Sequence, residues 1–281
     1  MDNEAKGVEK ALRDTQNPKE IQEILEEQID MAMEGHKRSN LGLYLSALAA
    51  GLEVSFSVFL MGILYEMFVT DISANQMMLL QAISYPLGFI FVILGRSELF
   101  TEHTTLAILP VLNGSTTVKS LLALWVIIYL GNLTGGYIFS WILSYIGPSM
   151  DIISEATLVH LAEKMLKYSP EIMFSSAVLA GWLMGLLSWL VTSSRDTISR
   201  ITLVALVTTV IGIGGLHHSI VGSTEVFTGL LVSKDITLKM YLNFQFFSTL
   251  GNAVGGVVFV ALIKFSHIKA SGSINASKEP D

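Results

Sequence analysis

The sequence predicts an all-α membrane protein whose six transmembrane helices form a 3+3 inverted repeat, the second and fifth helices being broken. Three observations predict it. Of 281 residues, 51% are hydrophobic and only 15% charged, and the mean hydropathy is +0.57. The apolar residues gather into six long runs, and short motifs of the first half recur in the same order in the second. A soluble chain of this length would divide into one or two charged-surfaced domains instead.

Residues 1–40 form a separate element expected to lie in the cytoplasm. They hold ten of the 24 acidic residues, and so most of the net charge of −7. Asn17-Pro18 is expected to start a helix, with Asn as N-cap and Pro in the first turn. Ile21, Ile24, Leu25, Ile29 and Ala32 then recur at helical spacing and give it one apolar face. Such a helix either packs on the membrane domain or acts as a gating lid. The polar, acidic start carries no basic n-region, so internal helices are expected to drive insertion.

The membrane domain is expected over 41–266, with halves 41–147 and 171–266. Its runs are Leu41–Phe68, Met77–Leu94, Leu121–Ile146, Ile172–Val191, Ile201–Leu216 and Leu242–Phe265. About 20 apolar residues cross about 30 Å of hydrocarbon. The second and fifth runs reach only about 27 and 24 Å as helices. Each meets a polar interruption, Gly95-Arg96-Ser97-Glu98 or His217-His218-Ser219, before a further apolar piece. The breaks are expected near Gly95–Thr101 and His217–Thr224. The tail 267–281, with Ser-Gly-Ser and Lys-Glu-Pro, reads as disordered. Lys and Arg near the span ends favour both termini in the cytoplasm.

The repeat rests on three matches. Gly131-Asn132-Leu133-Thr134-Gly135-Gly136 recurs as Gly251-Asn252-Ala253-Val254-Gly255-Gly256. Glu98-Leu99-Phe100-Thr101 recurs as Glu225-Val226-Phe227-Thr228, and Leu48-Ala49-Ala50-Gly51 is echoed by Val178-Leu179-Ala180-Gly181. Three spans per half force the second half to enter the membrane the other way up. Broken helices at matching places in such repeats point to a pathway near the midplane. The Gly-x-x-x-Gly spacings have a plainer use, close packing of helix backbones.

Composition excludes some chemistry. Cysteine is absent, so disulfides, thiolate catalysis and Cys-ligated metals are ruled out. No basic stripe suggests nucleic acid, and no cofactor is implied. Two adjacent histidines at a helix break are unusual, because ionisable groups inside a membrane by default mark a pathway. Glu98 and Glu225, related by the repeat, read as caps for exposed backbone N–H groups, and Arg96 is a candidate partner for either. Glu98, Glu102, His103, His217 and His218 would allow a hard metal site in an intramembrane enzyme, but no His-Glu-x-x-His pairing exists. A neutral-solute channel of the aquaporin kind is a nearer alternative, but the two Asn-Pro-Ala breaks of that kind are missing.

Over about residues 25–265 the chain resembles the formate/nitrite transporter family. Gly95-Arg96-Ser97-Glu98-Leu99-Phe100-Thr101 resembles its second-span motif, Gly215-Leu216-His217-His218-Ser219-Ile220 its fifth. Tyr129-Leu130-Gly131-Asn132-Leu133 and Arg195-Asp196 match in the third span and the fourth-to-fifth loop. The resemblance implies an aquaporin-like fold, a homopentamer in the lipid of the cytoplasmic membrane with a pore in each protomer, and passage of small monovalent anions or their acids. Formate leads a class that includes nitrite, hydrosulfide and short carboxylates. It implies His218 as the central pore histidine, Thr101 as its hydrogen-bond partner, and Leu99 and Phe100 at one apolar constriction with Ile211 at the other. Lys164 and Lys167 lie where the family has a basic residue at the outer mouth. Gly181 stands where many members have a pore-facing Asn, and Val221-Gly222-Ser223-Thr224 where Ala-Asn-Met-Phe is common. Both departures mark a divergent branch.

Overall fold

A computed structural model describes residues 17–271, and the described chain is helical with no strand. Six helices are long and apolar enough to span a membrane: Asn40–Phe68, Ala74–Gly95, Val118–Ser149, Pro170–Ser193, Thr197–Gly214 and Leu238–Ala270. They coincide with the six apolar runs. The chain is a membrane protein.

The elements in order are α1 (Ile21–Lys37), α2 (Asn40–Phe68), α3 (Ala74–Ser84), α4 (Pro86–Gly95), α5 (Phe100–Leu106), α6 (Leu109–Leu112), α7 (Val118–Ser149), α8 (Glu155–Leu166), α9 (Pro170–Ser193), α10 (Thr197–Gly214), α11 (Ser219–Val232), α12 (Leu238–Gly256), a π-helical stretch (Val257–Leu262) and α13 (Ile263–Ala270). Tyr85 joins α3 to α4, with Pro86 in the first turn of α4. The closest helix pairs are α2 with α7 and α9 with α12, one in each half.

Glycine makes both pairs possible. A Cβ on Gly51 of α2 would run into the carbonyl of Asn132 on α7, and one on Gly181 of α9 into the carbonyl of Asn252 on α12. Gly135 and Gly255 return the contact, against the carbonyls of Leu48 and Val178. The small residues therefore let backbones touch, as their spacing suggests. This corrects the reading of Gly181. Its missing side chain would point at the neighbouring helix backbone, so no side chain from this position reaches a pore.

Two non-helical stretches separate α4 from α5 and α10 from α11. Arg96 (φ 55°) and Gly215 (φ 56°) take the left-handed conformation that ends a helix. In each case the next amide reaches back five residues, Ser97 N to Val92 O at 3.1 Å and Leu216 N to Ile211 O at 3.1 Å. The first interruption falls at 96–99, inside the expected range. The second is 215–218 and lies earlier than expected, because α11 resumes at Ser219 and includes residues to Thr224 as helix.

At one end of the bundle α1 lies across α5, α6 and α9. Ile24 and Leu25 pack with Leu109, Trp189, Phe265 and Ile268. Gln28 Nε2 donates to Ser188 Oγ at 3.3 Å. The helix starts at Ile21 rather than at Asn17-Pro18. The preceding residues are held extended by other bonds: Arg195 Nε donates to Asn17 O at 3.1 Å, and Lys19 Nζ to Thr192 O at 2.8 Å. At the other end of the chain α13 continues to Ala270, past the expected boundary at 267. The disorder read for the tail falls largely on 272–281, outside the described residues.

Candidate functional site

The site forms where the two interruptions meet. Both α5 and α11 begin after a residue in extended geometry, Leu99 (φ −101°, ψ 127°) and His218 (φ −100°, ψ 119°). Each beginning leaves backbone groups unpaired in an apolar setting, where water cannot satisfy them. A buried asparagine on the neighbouring long helix serves each. Asn132 Oδ1 accepts from Phe100 N at 2.8 Å, while its Nδ2 donates to Ala47 O at 2.7 Å and Glu98 O at 2.9 Å. Asn252 Oδ1 accepts from Ser219 N at 2.8 Å, while its Nδ2 donates to Ala177 O at 2.8 Å and His217 O at 3.0 Å. One amide thus ties together three segments at each break. Both asparagines are wholly buried.

These contacts correct the capping role read for Glu98 and Glu225. The amide at the start of α5 is already taken by Asn132, and Glu98 turns instead to cations. It accepts from Arg38 Nη1 at 2.6 Å and from His103 Nε2. Arg38 of the segment after α1, rather than Arg96, is its guanidinium partner. Glu225 lies six residues inside α11, too far from the N-terminus to cap it. Its side chain lines a cavity.

His218 joins the two halves. Its Nε2 lies 2.8 Å from Thr101 Oγ1, and its Nδ1 accepts from Val221 N at 3.2 Å. Because Nδ1 is the acceptor, the proton of the neutral ring is on Nε2, which donates to the threonine. The ring of Phe89 stands edge-on to the imidazole, centroids 5.2 Å apart. Both His218 and Thr101 are buried.

His217 has a different environment. Its Nδ1 is 2.9 Å from Ser176 Oγ and its Nε2 is 3.1 Å from Met165 O. Both ring nitrogens are engaged, and they fasten the start of α11 to α9 and α8. Among the described residues no three His, Asp or Glu side chains are placed to hold one metal ion.

A narrow cavity has His218 in its wall. Met61, Gln81, Tyr85, Lys164, Ile211 and Glu225 are among its lining residues. Lys164 Nζ donates to Gln81 Oε1 at 3.2 Å. Lys167, by contrast, is exposed and lies 4.9 Å over the Tyr168 ring. Only Lys164 of the two reaches the cavity. One turn earlier on α8, His160 stacks on Tyr65. Burial, and then the charge of Lys164, hold its imidazole below the ordinary histidine range, so it adds no charge here at neutral pH. Leu99 and Phe100 are buried and do not line this cavity, and the Phe100 ring stands edge-on to Trp125 and Tyr129 of α7.

The family model described as formate/nitrite transporter matches residues 22–266. The chain belongs to the formate/nitrite transporter family. Among curated relatives it is similar to the inner membrane protein YfdC of Escherichia coli (strain K12), 32% identical over 242 residues, which are 83% of this chain and 74% of the relative. Among solved structures it is similar to an FNT family ion channel, with TM-score 0.76 and 22% identity over 88% of this chain and 98% of that one. A pentameric formate channel with formate bound gives TM-score 0.69 and 20% identity, covering 82% and 98%. At those identities the two structures establish a shared fold. Formate/nitrite transporter proteins are transporters and channels, so this membership points to passage of a solute rather than to catalysis.

The two asparagines were missed as functional residues by the sequence reading, although both stand in the repeated motif. A buried amide at the same place in two otherwise apolar spans was the available signal. The cavity role of Gln81 had no comparable signal, while Glu225 was read as a cap although a carboxyl inside an apolar span was itself a signal.

Proposed function

We propose that the chain forms a pore for small monovalent anions or their neutral acids, formate first among them, in the cytoplasmic membrane. The observation that carries this reading is the buried His218–Thr101 contact, made where the two helix interruptions converge beneath a cavity containing Lys164. Ionisable side chains at such a depth mark a pathway.

Magnitudes set the mechanism. A bare carboxylate entering a low-dielectric constriction meets a Born cost of order 20 kcal/mol. That barrier alone would allow about one crossing per hundred seconds. The solute is therefore attracted by Lys164 in the outer vestibule and takes a proton at or before the apolar constriction. His218 serves it through the Nε2–H bond that Thr101 now accepts, as hydrogen-bond donor or as proton donor. Ile211 narrows the outer side, Leu99 and Phe100 the inner side. The two halves are related by a pseudo-two-fold axis in the membrane plane, and both termini are cytoplasmic. Five protomers assemble, and their large exposed apolar side chains, such as Ile83, Trp141 and Tyr145, face lipid or a neighbouring protomer.

A substrate panel in proteoliposomes tests the reading. Formate, nitrite, hydrosulfide and short carboxylates are offered at several outside pH values, and protein-free liposomes are subtracted. Formate uptake should rise as outside pH falls, because the neutral fraction of a carboxylic acid grows about tenfold per unit above its pKa. Flux indifferent to pH, together with rapid passage of water or glycerol, would contradict it and favour a neutral-solute channel.

A further inference from the structure

The cavity outside His218 holds a donor and an acid that the mechanism above does not use. Gln81 is 5% exposed, its Oε1 occupied by Lys164, and its Nε2 is buried without a partner. A buried amide N–H2 with no acceptor is costly unless a solute supplies one. Glu225 is also 5% exposed and lines the same cavity. It lies on α11, seven residues after His218 at the start of that helix, and both residues line the cavity. No direct ion pair joins Glu225 to Lys164 among the described residues. The cavity thus presents one ammonium, one carboxyl and one unused amide donor.

The groups around Glu225 can be named element by element. Lys164 comes from α8, Tyr85 from the α3–α4 junction and His218 from the non-helical stretch just before α11. From α2 the cavity receives Met61 and no titratable side chain. The phenols of Tyr137 on α7 and Tyr241 on α12 bond to each other at 2.7 Å, and Tyr241 also bonds to Ser223 at 2.8 Å. Among the described residues, Lys164 is the one Lys or Arg of the cavity lining.

We propose that Gln81, Glu225 and Lys164 form a solute subsite outside His218 that takes a small carboxylate only together with one proton. This rests on the pore reading given above. The charges decide it. When the cavity is empty and Glu225 is ionised, its charge and that of Lys164 cancel. An entering carboxylate adds one negative charge, and an uncompensated charge in a buried site is expensive. One proton restores the balance. It is shared between a Glu225 oxygen and a solute oxygen, because two carboxylates in one site cannot both stay ionised. Gln81 Nε2 donates to the other solute oxygen. Only an O–H bond forms or breaks, and the proton leaves with the solute toward His218.

Formate uptake and the accompanying current, recorded from pH 5.5 to 8 on wild type and on Glu225→Gln, Glu225→Asp and Gln81→Leu, test the subsite. Wild type should be electroneutral, with uptake rising and the half-saturating formate concentration falling as pH falls. Glu225→Gln leaves the charge of Lys164 uncancelled, so the anion enters without a proton. The half-saturating formate concentration should then lose most of its pH dependence, with transport still electroneutral because the constriction passes only the neutral acid, while Glu225→Asp keeps the wild-type pattern. Gln81→Leu should raise the half-saturating formate concentration about tenfold with the pH slope retained. A Glu225→Gln protein whose half-saturation keeps the wild-type pH slope overturns the subsite, as does an unchanged half-saturation in Gln81→Leu. Wild-type protein that moves no formate at any pH overturns instead the pore reading beneath it.

Discussion

At the scale of single residues, the two asparagines show how the breaks are held. Each satisfies one amide and two carbonyls that the interrupted helices leave buried. Asn132→Ala would strand Phe100 N–H and two carbonyls, at about 1 to 3 kcal/mol for each group left unsatisfied. The expected result is a large fall in thermal midpoint in detergent, with Asn132→Asp intermediate because it keeps the acceptor. An unchanged midpoint would mean that water replaces the amide. Much of this site was legible in the sequence. His218 and Thr101 stood in motifs that named them, and adjacent residues on a chain point differently, which separated His217. What was not legible was direction. Whether Glu98 caps or pairs depends on Arg38 arriving from a distant segment, and whether Gly181 faces a pore or a helix depends on how α9 meets α12.

At the scale of elements, the helix pairs α2–α7 and α9–α12 depend on backbones in contact. A Cβ at Gly181 has no space before the Asn252 carbonyl, and that carbonyl belongs to the residue that holds the start of α11. Gly181→Ala should therefore cost about 1 to 3 kcal/mol through overpacking, visible as a lowered thermal midpoint, and should disturb transport in the same variant. Normal stability and transport would show that the pair separates freely. The six spans were legible because length and hydropathy suffice to find them. The short helix α8 was not, because 12 residues cannot span a membrane and its role is set by contact with α11. The start of α1 was placed too early, since Asn17 and Lys19 are held by the α9–α10 turn, a tertiary contact that outweighs a local capping signal.

At the scale of the molecule, the two halves carry the same devices at matching places: a left-handed helix end, an extended residue, a new helix start and an asparagine clamp. The sequence motifs around Asn132 and Asn252 marked the clamps, but the match of Glu98–Thr101 with Glu225–Thr228 was out of register. Asn132 holds Glu98 O where Asn252 holds His217 O, and the extended residues are Leu99 and His218. Pentameric assembly belongs to the proposal and is checked by a detergent-corrected mass. Five protomers are expected, and a dimer or trimer would contradict it. The central claim is that solute passes His218, and one comparison tests it most directly. Formate uptake is measured for wild type and His218→Phe at matched protein levels across pH 5 to 8, with His218→Asn alongside. A solute oxygen left without its donor in a buried passage costs about 1 to 3 kcal/mol, so flux through His218→Phe should fall about 5- to 100-fold while assembly is retained. His218→Asn should keep much of the flux if the donor alone matters, and fail like Phe if the imidazole exchanges a proton. Equal transport by wild type and His218→Phe would contradict the account.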